Sequence, residues 1–349
     1  MEDLISILAC PRDRGALRRE GSHLVCAAGH EYPVVEGVPV LLVEEDEPTI
    51  GIASASIGCA RRSAAGKSPS DPWFTATLGI SEAERSELLE QAAGGDMAID
   101  PAARFLVAAT NGILYRDLVG TLTQYPIPEL RLPAGGGRRL LDIGCSWGRW
   151  SIAAARKGYR PVGIDPSLGA VLAAQRITQG LGLEAQFVVG DARRLPFTTG
   201  PFAAVFSYSV LQHFDPAVAA TSLREVGRVL APGGLSLIQM ANGYGLRSLY
   251  HQARRGFRSP KDFEVRYWAP RELLEVFQQE IGRSQLSVDG FFGLGLQASD
   301  RSLMSAGRRR ILAVSEAFRA ASARFPWMLS AADSLYVESM RRAAGSVEG

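Results

Sequence analysis

The sequence predicts an α/β fold: a parallel sheet with helices on both faces, a small β-rich module before it, and helical additions around it. Three observations predict this. Residues 138–241 alternate short apolar runs with amphipathic stretches of helical period. A glycine turn, Gly144 to Gly148, joins the first run to the first stretch. Asp142, Asp165 and Asp191 fall at the ends of three successive runs. A chain of 349 residues has room for two domains, or for one with sizeable additions.

Composition sets the outer limits. Hydrophobic residues make up 46% and charged residues 21%, an ordinary globular balance. No apolar run reaches the roughly 18 residues of a membrane-spanning helix. Glu2 and Asp3 stand where a secretory signal carries basic residues. The 4 cysteines are too scattered for a disulfide framework. Together these predict a cytoplasmic protein with no membrane segment. A net charge of +2 exerts little general pull on nucleic acid.

The elements follow in chain order. Residues 1–45 hold short apolar runs broken by Pro33, Gly37 and Pro39, which predicts strands and tight turns. This module carries 4 arginines against 8 acids, a poor phosphate clamp. Residues 46–72 are dominated by small residues and predict a flexible linker. Residues 73–134 predict a helical cap, with helices over 81–92 and 101–122. Ser81 and Glu84 make a capping-box pair, and Pro101 suits a first helical turn.

The core spans 135–241. Its strands are predicted in RRLLDIG, RPVGID, AQFVVGDA, FAAVFSYS and LSLIQM, with helices between them. Residues 242–349 predict amphipathic helices at 269–281 and 308–323 and a Gly-rich segment, DGFFGLGLQASD. Residues 242–349 together hold 16 basic residues against 11 acids.

The turn Leu141-Asp142-Ile143-Gly144-Cys145-Ser146-Trp147-Gly148 follows a strand and opens a helix, the setting of a nucleotide-binding loop. Glycine lets a ligand approach backbone that a Cβ would shield. The helix start offers N–H groups to an anion. Asp165, 23 residues after Asp142, is placed to bind two ribose hydroxyls. Buried acids without partners are costly, so three at strand ends call for a polar ligand.

On these residues, 140–241 resembles the class I S-adenosylmethionine (SAM)-dependent methyltransferases of the type 11 kind. LLDIGCSWGRWS is similar to their first motif: Asp142, Gly144 and Gly148 match, and Ser146 replaces the middle glycine. VGIDPS, with Asp165 and Pro166, resembles the ribose-binding motif. GDARRLPF implies Asp191 and Ala192 at the adenine. FAAVFSYSVLQHFDP implies Ser207 and its neighbours at the methionine end. The resemblance implies a Rossmann-like sheet of seven strands. It places the antiparallel seventh strand in 284–296, and cofactor contacts at Asp142, Gly144, Cys145, Ser146, Gly148, Asp165, Pro166, Asp191, Ala192 and Ser207. A dinucleotide reading of the turn is weaker, since the third glycine is not at its proper offset.

The function this implies is methyl transfer from SAM, with S-adenosylhomocysteine (SAH) as product, to a small-molecule acceptor such as a secondary metabolite or sugar-containing intermediate. O-methylation is favoured because His213, on the loop after the fourth core strand, suits a general base; a purely structural role for it stays open, as do N- and C-methylation. Asp215 before Pro216 reads first as a helix cap. Acceptor-lining residues are sought in 73–125 and 242–300: Tyr115, Tyr244, Tyr250, Phe257, Tyr267, Trp268, Phe291 and Phe292, with Arg254, Arg255 and Arg258 for an anionic group.

In the N-terminal module, Cys10-Pro11-Arg12-Asp13 and Cys26-x₃-His30 make two knuckles that could hold a metal. With Tyr32-Pro33-Val34-Val35-Glu36-Gly37-Val38-Pro39 the module resembles zinc-ribbon-like modules of the Trm112 type. That implies zinc on Cys10, Asp13, Cys26 and His30, or a remnant that has lost its metal; Asp13 stands where a cysteine is usual. Two other functions remain: an RNA methyltransferase that uses this module for its substrate, and a non-catalytic partner-binding protein.

Overall fold

The computed structural model describes residues 2–45, 51–66, 71–94, 98–110, 122–293, 295 and 297–342, with side chains at 108–110 left aside. The expected lining residue Tyr115 and most of the second half of the 101–122 helix lie outside the described residues. The chain divides into two compact units, Met1–Pro201 and Phe202–Gly349, a boundary that falls inside the expected 135–241 core.

The first unit opens with helix α1 (Glu2–Ile5) and an antiparallel sheet of β1 (Leu17–Glu20), β2 (His23–Cys26), β3 (Glu31–Val35) and β4 (Val38–Pro39). Helices α2 (Ile52–Ala64), α3 (Glu82–Ala93) and α4 (Pro101–Thr110) follow. Then come β5 (Arg139–Ile143), α5 (Arg149–Arg156), β6 (Arg160–Asp165), α6 (Leu168–Gly180) and β7 (Gln186–Val189). Strands β5, β6 and β7 pair in parallel in sequence order. Each helix start has a local reason. Ser81 and Glu84 cap α3 reciprocally, and the Ser167 hydroxyl accepts the Ala170 N–H at the start of α6.

The second unit contains β8 (Phe202–Ser207), α7 (Pro216–Val229), β9 (Leu230–Ala241), α8 (Leu246–Arg254), α9 (Pro270–Glu280), β10 (Gly282–Gly290), α10 (Ala306–Ser322) and β11 (Ser334–Arg341). β8 and β9 are parallel, and β11 runs antiparallel between β9 and β10. The larger sheet has seven strands in all. Pro216 and Pro270 occupy first-turn positions, where a missing N–H costs nothing.

Two expectations need correction. The antiparallel strand is β11, not the 284–296 segment, whose residues up to Gly290 form β10, parallel to β9. The segment SLYVESMR lies 44 residues beyond that strand, after a helix, so local pattern gave no sign of its insertion between β9 and β10. The expected linker 46–72 contains α2. Its small residues are helix formers rather than marks of flexibility. Ser56 and Ala60 are fully buried, and Ala60 joins Val35, Val38, Val40, Leu168 and Val189 in one hydrophobic cluster. The Ser56 hydroxyl donates to Pro166 O (2.7 Å) and accepts from Leu168 N (3.0 Å), so α2 is tied to the loop after Asp165.

The N-terminal module is likewise built into its unit. Leu41 N donates to Val189 O (2.7 Å), and Val40 forms a parallel bridge with Val189. Ala9 N donates to Pro196 O (3.0 Å), Thr198 N to Ile7 O (2.8 Å), and Arg14 Nη1 to Leu195 O (2.7 Å). The module therefore grips the chain on both sides of Asp191. Among the described residues, no helix is long and apolar enough to cross a membrane.

Candidate functional site

Three features of the first unit converge on the end of β5. Gly144 (φ 75°), Ser146 (φ 47°) and Gly148 (φ 85°) all take left-handed backbone, which folds residues 144–148 back on themselves. The N–H groups of Gly144 and Cys145 both donate to Ile164 O, at 2.8 and 3.1 Å. A Cβ at Gly148 would come within 2.9 Å of the Ala174 Cβ, so glycine is required for the helix to pass there. Ser146 supplies the third left-handed position without that freedom.

Asp165 closes the turn from β6. Its Oδ2 accepts Ser146 N (3.0 Å) and its Oδ1 accepts Ser167 N (2.9 Å). Burial raises its pKa to about 6, against the pull of those two N–H donors. Each oxygen keeps a lone pair, which suits paired hydroxyls. Asp142 is 1% exposed and accepts the Ser151 hydroxyl at 2.7 Å. Burial, and secondarily the Asp165 charge, raise it to about 7. The buried Ser146 Oγ and Trp147 Nε1 have no partner among the described residues. Orphaned polar atoms beside a left-handed turn and a two-pronged carboxylate fit a cofactor carrying ribose and a charged tail.

The remaining expected cofactor residues fall as follows. Cys145 is buried, with its thiol pushed well above its ordinary value by burial, and is a packing residue of the turn. Pro166 O holds α2 through Ser56. Asp191 accepts its own loop's Arg193 N (2.8 Å) and pairs with the Arg193 guanidinium through both oxygens. Ala192 begins the short turn that follows.

In the second unit Ser207 ends β8 and is 1% exposed. His213 follows on the loop, stacked on Phe263 with ring centroids 4.2 Å apart. Its Nδ1 lies 2.7 Å from Phe263 O. A carbonyl only accepts, so Nδ1 carries the proton and Nε2 holds the lone pair. Burial lowers the His213 pKa, which favours the neutral form of the ring. Asp215 sits at the N-cap position of α7, yet its side chain makes no cap; Oδ1 accepts Arg266 Nε at 2.7 Å instead. The arginine was not foreseen because it lies 51 residues away in sequence.

The expected lining residues separate. Tyr244, Tyr250 and Phe257 are exposed, Trp268 and Phe291 are buried, and Tyr267 lies under the Arg255 guanidinium. Arg258 pairs with Glu264.

Sequence reasoning missed a polar network at the end of β8. Ser209 N donates to Gln239 Oε1 (2.8 Å), and Gln212 Nε2 donates to Ser209 Oγ (2.7 Å). Gln239 Nε2 donates to Ser334 Oγ (2.7 Å), which donates to Asp289 Oδ2 (2.7 Å). Tyr208 also donates to Asp289 Oδ2 (2.8 Å) and accepts from Gln297 Nε2 (2.9 Å). The available signal was the glutamine within the apolar run LSLIQM.

The N-terminal module brings Cys10, Asp13, Cys26 and His30 together, with ligand atoms all within 4.8 Å of one another. His30 Nδ1 lies 3.4 Å from Cys10 Sγ, 3.3 Å from Cys26 Sγ and 3.2 Å from Asp13 Oδ2. A tetrahedron with zinc bonds of about 2.0–2.3 Å has edges of about 3.3–3.8 Å, so the distances from His30 are close to such edges and the donor set fits the ion in chemistry.

Residues 140–234 match the family described as "Methyltransferase domain". A ubiquinone biosynthesis O-methyltransferase of Azorhizobium caulinodans is 32% identical over 106 residues, 30% of this chain and 41% of that protein. A demethylmenaquinone methyltransferase of Beutenbergia cavernae is 41% identical over 103 residues, 30% of this chain and 40% of that protein. This chain thus spans about two fifths of the length of these curated relatives. A UPF0434 protein of Vesicomyosocius okutanii is 42% identical over 45 residues, 13% of this chain and 76% of that protein, and by that match one stretch of the chain belongs to the UPF0434 family.

Proposed function

We propose, from the premise that residues 140–234 are a methyltransferase domain of the class I SAM-dependent family, that the whole protein methylates a small-molecule acceptor. The observation that carries this reading is the turn at 144–148 with Asp165 clasped beneath it, and the two orphaned polar atoms, Ser146 Oγ and Trp147 Nε1, beside it. Bound SAM would supply an activated methyl on a sulfonium. Asp165 would bind the ribose hydroxyls, the 144–148 turn would receive the amino-acid portion, and Asp191 with Ala192 would border the adenine.

The protein's own chemical task is then alignment and proton removal. We assign the proton to His213 Nε2, because its Nδ1–H is held by Phe263 O and burial favours the neutral ring. That favours O-methylation, in which the acceptor hydroxyl loses its proton as the methyl arrives. The acceptor is a biosynthetic intermediate or secondary metabolite. The UPF0434-like stretch is read as residues 1–45, with zinc held by Cys10, Asp13, Cys26 and His30 as a staple that keeps the grip on residues 189–198. Thiolate ligands go with a cytoplasmic setting.

The test is transfer of labelled methyl from SAM into a small-molecule extract and, separately, into total RNA. Label in the small-molecule pool is the expected result. Label confined to RNA would replace this reading with an RNA methyltransferase. Metal analysis of the purified protein is expected to find about one zinc per chain, lost in Cys10→Ser; a metal-free chain that folds normally would make the module a remnant.

A further inference from the structure

Ser209 is the one residue of the β8 loop whose backbone is both unfavourable and held there by buried side chains. Its φ is +60°, a region that costs a residue with a Cβ. Gln239 and Gln212, each 1% exposed, hold it by its N–H and by its hydroxyl oxygen. Gln239 is itself oriented, since its Nε2 donates to Ser334 Oγ, which is fully buried. Strand direction explains the meeting. Ser209 follows the carboxyl end of β8, Gln239 lies near the carboxyl end of the parallel β9, and Ser334 begins the antiparallel β11. All three therefore sit at the sheet end where open α/β sheets bind ligands.

A strained residue that its surroundings over-determine points to a use for that geometry. The polarity of the network says which use. Gln212 Nε2 donates to Ser209 Oγ, so the serine hydroxyl is left with its proton to give. Among the described residues that proton has no acceptor, and Ser209 is half-exposed. We propose that Ser209 is an acceptor-binding residue: its hydroxyl donates a hydrogen bond to an oxygen of the methyl acceptor, a carbonyl, ether or phenol oxygen beside the atom that is methylated. The two glutamines are positioning residues that hold Ser209 in the required backbone. This inference rests on the methyltransferase reading and adds a specificity element to it beside His213, whose ring the Ser209 backbone also touches.

The test separates hydroxyl from strain. Ser209→Gly removes both, and Ser209→Thr keeps the hydroxyl while worsening the strain through its β-branch. Labelled-methyl transfer into the small-molecule extract, SAH affinity by calorimetry, and Tm are measured on the full chain. We expect Ser209→Gly to lose about tenfold in transfer, with SAH affinity unchanged and Tm equal or higher. Ser209→Thr is expected to retain transfer with a lower Tm. Full transfer by Ser209→Gly would overturn the proposal, as would loss of SAH binding in that variant. A wild-type chain that labels neither pool would instead overturn the methyltransferase reading, and this inference with it.

Discussion

Ser146 and Ser209 each follow a strand of the sheet in left-handed backbone, at φ 47° and 60°, and their surroundings are opposite. Around Ser146 the N–H is held by Asp165, and the buried hydroxyl has no partner among the described residues. Around Ser209 the side chain is engaged, and two buried glutamines fix both the backbone and the hydroxyl. The difference separates a turn whose hydroxyl is left for a ligand from a turn whose hydroxyl oxygen the protein itself holds. Glycine at 146 would remove that orphaned hydroxyl, whereas glycine at 209 would discard what the glutamines hold.

The largest expected effects test whether the two turns serve different steps. His213→Ala should lower kcat by about 100-fold or more, the usual contribution of a general base, and leave SAH affinity alone. Asp165→Ala should weaken SAH binding by about 30-fold, the loss of charge-assisted bonds to two hydroxyls. If His213→Ala loses SAH affinity instead, the division between the two turns collapses.

A pH series sharpens the same contrast. Asp165 has a pKa raised to about 6, and hydroxyl donors favour its ionised form. SAH affinity should therefore rise with pH up to about 7 and then level, and Asp165→Asn should flatten that curve. Stability of the cofactor-free chain should move the other way. A carboxyl whose folded pKa is raised contributes stability while protonated, and that contribution is lost as pH rises through about 6 for Asp165 and about 7 for Asp142. Tm measured across this range checks the sign.

Smaller effects follow. Arg14→Ala removes a hydrogen bond to Leu195 O on the chain beyond Asp191, and should weaken SAH binding about fivefold. Ser146→Gly should be the mildest change. It relieves left-handed strain worth about 1 kcal/mol, so Tm should rise by about 2–3 °C, while loss of the orphaned hydroxyl should weaken SAH binding about threefold. Unchanged SAH binding in Ser146→Gly would mean that its buried hydroxyl is no cofactor contact and that this turn needs only the conformation.

How much of this is legible in the sequence depends on the distance over which each feature is encoded. The turn at 144–148, Asp165 and the helices between the strands of 139–207 are written in contiguous residues, because glycine, an acid and an apolar period act on their own segment. Cys10, Asp13, Cys26 and His30 span a short hairpin, so their spacing was enough to group them. Ser209 and Gln239 are 30 residues apart, and Asp289 and Ser334 are 45 apart. No local pattern marks such pairs. Asp191 was legible as a strand-end acid, but its pairing with Arg193 was not, because a surface arginine beside an acid looks the same whether or not it folds back.

The sequence by itself determined the alternation of strand and helix, the glycine turn at 144–148, and the acids at the strand ends, since each follows from steric limits and burial within one segment. Tertiary structure decided the rest. It set β11 between β9 and β10, packed α2 against the loop after Asp165, gripped residues 189–198 with the N-terminal module, and collected the glutamines around Ser209. The reason is physical: backbone conformation is chosen by neighbours along the chain, but the partner of a buried polar group is whichever complementary atom the packed sheet brings within about 3 Å.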